Sequence, residues 1–188
     1  MRLFLCVSPW AQTYPSDRHA GFDAENLVAE ADGAVPLLWL ALFRPADLSE
    51  DEATGTAPLA TRERALANLA AAVPALDRLF GPPVSAHADL LRQALPWFPG
   101  DWLTIEWWDE ERPAPPDPDE LRAALATLDD PAGGPGPLLR LCELDPADLP
   151  EPPRPGAPLL PHLNRQAAGL RRILGRASHQ LVPWEQPI

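Results

Sequence analysis

Apolar and polar positions alternate unevenly along the chain, and each stretch with a clear period predicts an element. Arg2 to Ser8 places Leu3, Leu5 and Val7 on one side and Phe4 and Cys6 on the other. Both faces are apolar, so this segment predicts a central strand. From Pro9 to Gly33 the chain is polar and aperiodic, which predicts a loop with at most a helical turn over Asp23 to Ala31. Val35 to Phe43 is continuously apolar, and periodicity does not separate a buried strand from a buried helix there. Pro36 and the lack of β-branched residues after it favour a helix.

Thr61 is placed to cap a helix in which Leu66, Leu69, Val73, Leu76 and Phe80 recur at spacings of three and four, ending before Gly81. Pro74 interrupts that stripe and predicts a kink or two abutting helices. Ser85 is the expected cap of the next helix, with Leu90, Leu91, Ala94 and Leu95 inward and Pro96 as its stop. Asp101 to Asp109 is the clearest strand. Leu103, Ile105 and Trp107 share one face, and Trp102, Thr104, Glu106 and Trp108 the other. Asp117-Pro118-Asp119-Glu120 then combines a cap, a first-turn proline and acids, the strongest helix start in the chain. Leu121, Leu125 and Leu128 form its buried stripe. A turn over Asp129 to Gly136 leads to a short element at Leu138 to Leu144. A proline-kept extended connection follows, and a last helix is expected from about Pro161 to Ala177.

One segment echoes another. Residues 35–50 (VPLLWLALFRPADLSE) and 136–151 (GPLLRLCELDPADLPE) align without a gap, and nine of sixteen positions are identical. Read as a duplication, this predicts two pseudo-symmetric halves, 1–100 and 101–188, with Asp47 and Asp148 as equivalent turn caps. Read as chance, it reflects a chain rich in Pro, Ala, Leu and Asp. Trp39 and Leu42 become Arg140 and Glu143, so a shared conformation would leave the second copy half exposed where the first is buried.

Composition narrows the class. Leu, Ile, Val and Phe together supply 45 of 188 residues, enough for a charged chain to collapse around one core. The expected fold is therefore α+β, a single domain with a small sheet and several short helices. No apolar run approaches the ~20 residues of a membrane helix. The opening segment is too short for a secretory leader, so a soluble cytoplasmic protein is expected. Cys6 and Cys142 read as small buried hydrophobes rather than a disulfide framework.

Charge narrows the partners. The chain carries 15 cations, all Arg, against 27 acids, for a net −12. Residues 101–151 hold 14 acids and 3 Arg, and residues 152–188 hold 1 acid and 5 Arg. Such a surface repels phosphate backbones, which argues against nucleic acid and for a basic protein partner. The Arg-rich end, with Arg165, Arg171, Arg172 and Arg176, is expected to face the molecule's own acids or solvent.

Candidate chemistry is sparse. His19, His87, His162 and His179 lie at no metal-ligand spacing, and no serine sits in a nucleophile elbow. Gly133-Gly134-Pro135-Gly136 lacks the residues of a phosphate loop. No metal, cofactor or catalytic residue is expected. Asp109, Glu110, Glu111, Asp117, Asp119 and Glu120 read mainly as a solvated face and a helix cap. The alternative is a small carboxylate-dependent hydrolase or sugar-binding enzyme with a Trp-lined cleft. Seven tryptophans are the unusual feature. Aromatics beside acids suit a basic partner, which makes Trp102, Glu106, Trp108, Asp109, Glu110 and Glu111 the candidate partner-binding residues.

The run Val35 to Leu48, with Val-Pro-Leu-Leu-Trp followed by Arg-Pro-Ala-Asp-Leu, together with the strand and acids of Asp101 to Glu111, resembles parts of small bacterial proteins, some associated with polymorphic-toxin immunity. The resemblance covers roughly 35–111 and carries no catalytic motif or transferable active residue. It implies an acidic, non-enzymatic immunity or inhibitor protein that occludes a basic toxin.

Overall fold

In the computed structural model, the structure describes residues 2–8, 27–51, 55–97, 100–108, 116–145, 147, 149 and 168–175. Five antiparallel strands form one sheet: β1 (Arg2–Ser8), β2 (Leu27–Asp32), β3 (Leu48–Asp51), β4 (Gly55–Thr61) and β5 (Trp102–Trp108), in the order β2-β1-β5-β4-β3. Six α-helices accompany them among the described residues: α1 (Leu37–Leu40), α2 (Arg62–Phe80), α3 (Pro82–Ala94), α4 (Pro118–Asp129), α5 (Gly136–Leu141) and α6 (Ala168–Leu174). The fold class is α+β, as the mixture of periods predicts.

The register explains why both faces of β1 are apolar. β1 lies between β2 and β5, pairing Leu5 with Ala29 on one side and Ile105 on the other. Leu3, Leu5, Val7, Leu103, Ile105, Trp107, Ala29, Ala31 and Ala60 all belong to the hydrophobic core shared with the helices. Cys6 is buried but does not join that core. The helices therefore pack on the Leu5 and Ile105 face of the sheet, and the Phe4, Cys6, Thr104 and Glu106 face is turned away from it.

Several expectations are corrected. Part of the predicted loop, Leu27 to Asp32, is strand β2. Ala29 and Ala31 sit opposite Leu5 and Leu3, so pairing to a buried strand overrides the weak β preference of alanine. β3 and β4, which no strong period announced, form a hairpin with Leu48 opposite Pro58. Proline is tolerated there because β4 pairs with β5 only through Leu59, Ala60 and Thr61. Pro74 does not split α2, which runs unbroken from Arg62 to Phe80. Its ring lies on the exposed side, where the carbonyl it leaves unbonded meets water. The third helix starts at Pro82, before Ser85, whose hydroxyl donates back to the Pro82 carbonyl at 2.9 Å.

Other local readings hold. Thr61 accepts a hydrogen bond from the Arg64 N–H at 3.2 Å, and Asp117 caps α4 through the Asp119 N–H at 2.8 Å. Leu121, Leu125 and Leu128 are buried. Val35 to Phe43 resolves toward helix, with every residue of α1 at 0% exposure. Cys6 and Cys142 are free, buried thiols. Of the expected last helix, Ala168–Leu174 is described, with Leu174 buried; Leu163, Ala167 and Ala177 lie outside the described residues.

The echoed segments share a helix and differ in their surroundings. α1 and α5 overlap in the alignment, α5 beginning two positions earlier, and Leu37, Leu38 and Leu138 are all fully buried. Trp39 and Leu42 are at 0% exposure, whereas Arg140 and Glu143 are exposed. In the first copy Asp47 accepts from the Arg44 N–H at 2.8 Å; in the second, Asp145 accepts from the Ala147 N–H at 2.9 Å. Asp148 lies outside the described residues.

Asp47 also anchors a polar knot between the sheet and two helices. Its carboxylate accepts from Asn68 Nδ2 at 2.9 Å and pairs with Arg64 Nε at 2.6 Å. Arg44 pairs with Asp129 at 2.7 Å and donates to the carbonyls of Phe43 and Asn68 at 3.0 and 2.6 Å. Burial pulls the Arg44 guanidinium below its ordinary pKa, and Asp129 and Asp47 oppose that pull.

Candidate sheet-face site

β5 alternates strictly, so its seven residues sort by face. Trp107 points into the core at 8% exposure, and its Nε1 has no hydrogen-bond partner. Trp102 and Glu106 project from the opposite face and are half-buried. Two rows of that face follow from the register. Glu30, Phe4 and Glu106 lie side by side across β2, β1 and β5. Cys6, Thr104 and Leu59 form the next row across β1, β5 and β4. Glu30 is buried at 8% exposure, and Phe4 and Leu59 are half-buried. Two antiparallel spacings separate the Glu30 and Glu106 backbones, about 10 Å, so an aromatic ring stands between two carboxylates.

The middle of this face is closed to solvent: Cys6 and Thr104 are each 1% exposed. Burial, then the negative charge of Glu106, raises the Cys6 thiol well above its ordinary pKa. Among the described residues Thr104 Oγ1 has no hydrogen-bond partner. Cys6 and Thr104 are therefore out of a ligand's reach, whereas the half-buried Phe4, Leu59, Trp102 and Glu106 keep some exposure on this face.

Of the residues singled out in the sequence, Trp102 and Glu106 are thus brought to one face. The side chain of Trp108, and Asp109, Glu110 and Glu111 entirely, lie outside the described residues. Trp39, another candidate aromatic, is sealed in the core and donates Nε1–H to the Leu174 carbonyl at 3.0 Å. Glu30 and Phe4 enter the site only through the register. Phe4 was legible as a residue of the second face, but nothing in LVAEAD marked Glu30 as its neighbour.

The remaining candidates are accounted for by structure. Asp119 accepts from Arg122 at 3.0 Å, and Glu120 approaches Arg140 at 3.7 Å, so with the Asp117 cap this acidic block serves α4. His87 is buried, with Nδ1 2.6 Å from the Pro83 carbonyl. Asp89 pairs instead with Arg92 on the exposed side of α3. Among the described residues no three His, Cys, Asp or Glu side chains cluster as metal ligands. Arg172, from the Arg-rich end, turns back on the molecule's own acids, pairing with Glu143 at 2.8 Å. Among the described residues no helix is long and apolar enough to cross a membrane.

Comparison of the chain with protein-family models, with curated proteins and with solved structures finds no match.

Proposed function

We propose that this chain is a non-enzymatic, acidic protein-binding module that recognises a basic protein through the sheet face turned away from the helices. The observation that carries the reading is that Trp102 and Glu106 are both half-buried on one face, four residues apart along β5, with Phe4 and Glu30 in the Glu106 row. An indole and a carboxylate about 13 Å apart along one strand suit a partner that presents more than one arginine or lysine side chain, one to the ring and another to the charge. The net charge of −12 steers a basic partner toward it. Trp108, Asp109, Glu110 and Glu111, which follow Glu106 and Trp107 in sequence, are the other residues proposed to take part. The role is that of an immunity or inhibitor protein that occludes a basic bacterial toxin in the cytoplasm.

The test is capture of a basic protein from the native host by the intact chain, compared with Trp102→Ala and with a charge reversal of Glu106, Asp109, Glu110 and Glu111 to Arg. Removing a central aromatic anchor typically costs more than about 2 kcal/mol, so each variant should bind at least about thirtyfold more weakly. Capture of no basic protein, or capture indifferent to both variants, overturns the reading.

A second reading rests on the Glu30, Phe4 and Glu106 row, which sets two carboxylates one strand apart. That spacing suits a small carboxylate-dependent hydrolase or sugar-binding enzyme with a Trp-lined cleft. It requires that Glu30→Gln and Glu106→Gln each abolish hydrolysis of a chromogenic glycoside by the intact chain. Absence of turnover by the unmodified chain counts against it.

A further inference from the structure

Helix α6 is poorly equipped to stand alone. Its described residues, Ala168–Leu174, span fewer than two turns. What holds it is tertiary. Ile173 and Leu174 are buried at 0% and 1% exposure, and the Leu174 carbonyl accepts the Trp39 indole N–H at 3.0 Å. Arg172 bridges Glu143 and the Asp32 carbonyl, at 2.8 and 3.4 Å. The helix ends at Gly175, whose φ of 74° and N–H bond to the Arg171 carbonyl form a left-handed terminus. A Cβ there would lie 2.6 Å from the Trp39 ring and 2.8 Å from the Glu30 backbone oxygen. No side chain fits between α1 and β2 at that point.

The dependence runs in both directions. α1 is a four-residue helix at 0% exposure and owes part of its cover to α6. β2 is an edge strand, with β1 as its neighbour in the sheet. By contrast α2 and α4 are long and packed on each other, and both reach the turn that precedes β3, α2 through Arg64 and Asn68 at Asp47 and α4 through Asp129 at Arg44.

We infer that α6 is a strap that opens as a unit with Trp39 and the β2 edge while the α2 and α4 core stays folded, and that Gly175 is the latch through which it closes. Glu30 joins the strap to the opposite face: its backbone oxygen meets Gly175, and its carboxylate stands beside Phe4. Opening the strap loosens that carboxylate row and weakens the grip on positive charge; this clause rests on the docking reading above.

Hydrogen exchange of the full chain, followed by mass spectrometry, tests the strap. In the unmodified protein, residues 168–175, 27–32 and 37–40 should exchange together, at least about tenfold faster than the slowest amides of α2 and α4. Gly175→Ala should accelerate those three segments further and leave α2 and α4 protected. Arg172→Ala, a gentler surface change, should accelerate the same segments less. Uniform exchange across the molecule, or acceleration in Gly175→Ala and Arg172→Ala that spares β2 and α1, overturns the inference. Binding of an oligoarginine peptide to the same samples tests the coupling: Gly175→Ala should bind it more weakly. Unchanged binding with an opened strap refutes the coupling. If the unmodified chain does not bind the peptide, the docking reading falls, while the strap is decided by exchange alone.

Discussion

Replacing Asp47 with alanine should cost far more than its place in a short surface turn suggests. Its side chain is 2% exposed and holds three donors at once: the Arg44 N–H, Asn68 Nδ2 and Arg64 Nε. Loss of the turn cap costs about 1 kcal/mol. Loss of a buried charge-assisted bond to Asn68 costs about 1.5 to 3 kcal/mol; the lower end applies, because the same amide also donates to the Leu42 carbonyl at 3.0 Å. Arg64 is half exposed, so its pair contributes about 0.2 to 1 kcal/mol. The sum is about 2.7 to 3.5 kcal/mol, or a fall in Tm of about 5 to 14 °C for a chain of this size. Asp47→Asn keeps one acceptor for Arg44 and Asn68 and should lose only about 1 kcal/mol. Asp145→Ala, in the echoed segment, removes one exposed cap bond and should also stay near 1 kcal/mol. Urea unfolding of the three variants, with m unchanged, reads these values directly. A loss below about 1 kcal/mol in Asp47→Ala, or equal losses in Asp47→Ala and Asp47→Asn, would refute the argument that a buried, shared carboxylate holds the turn to α2.

Two further outcomes follow from buried polar groups. Thr104→Val exchanges an unpartnered hydroxyl at 1% exposure for a methyl of similar shape; urea unfolding should show stabilisation of about 1 kcal/mol, and a loss of that size would mean the hydroxyl is bonded in solution. Cys6 and Cys142 keep their protons in the folded state because burial raises both thiols above the ordinary value of 9.0. Above that value the unfolded chain loses protons that the folded chain retains, so stability falls as pH rises, by up to about 1.4 kcal/mol per pH unit for each thiol. Thermal melts between neutral pH and pH ~10 should show this slope, shallower in Cys142→Ala, and a flat profile would contradict the burial of both groups.

What the sequence made legible was whatever a single segment decides for itself. The β1 and β5 strands, the Thr61 and Asp117 caps and the Leu121, Leu125, Leu128 stripe each carry their own period or capping chemistry. β2 and β4 do not: Ala29, Ala31, Gly55 and Pro58 are poor strand formers and become strands by pairing with Leu5, Leu3, Asp51 and Leu48. The candidate site divides the same way. Trp102 and Glu106 declared a shared face by alternation within β5, whereas Glu30 reaches that face only because β2 docks beside β1. The Asp47 knot was half visible, since the turn cap is local, but Arg64 and Asn68 arrive from a different helix.

The position of β1 also sets a schedule for assembly. Leu5 pairs with Ile105, so β1 waits for about 100 more residues of synthesis before that partner exists. At about 5 to 20 residues per second that interval is several seconds. The α2–α3 hairpin, with contacts between sequence neighbours, forms within it. The centre of the sheet therefore closes late, around a helical pair already in place, and a nascent chain halted before Trp102 has β1 paired to β2 alone, with its β5 edge unmatched.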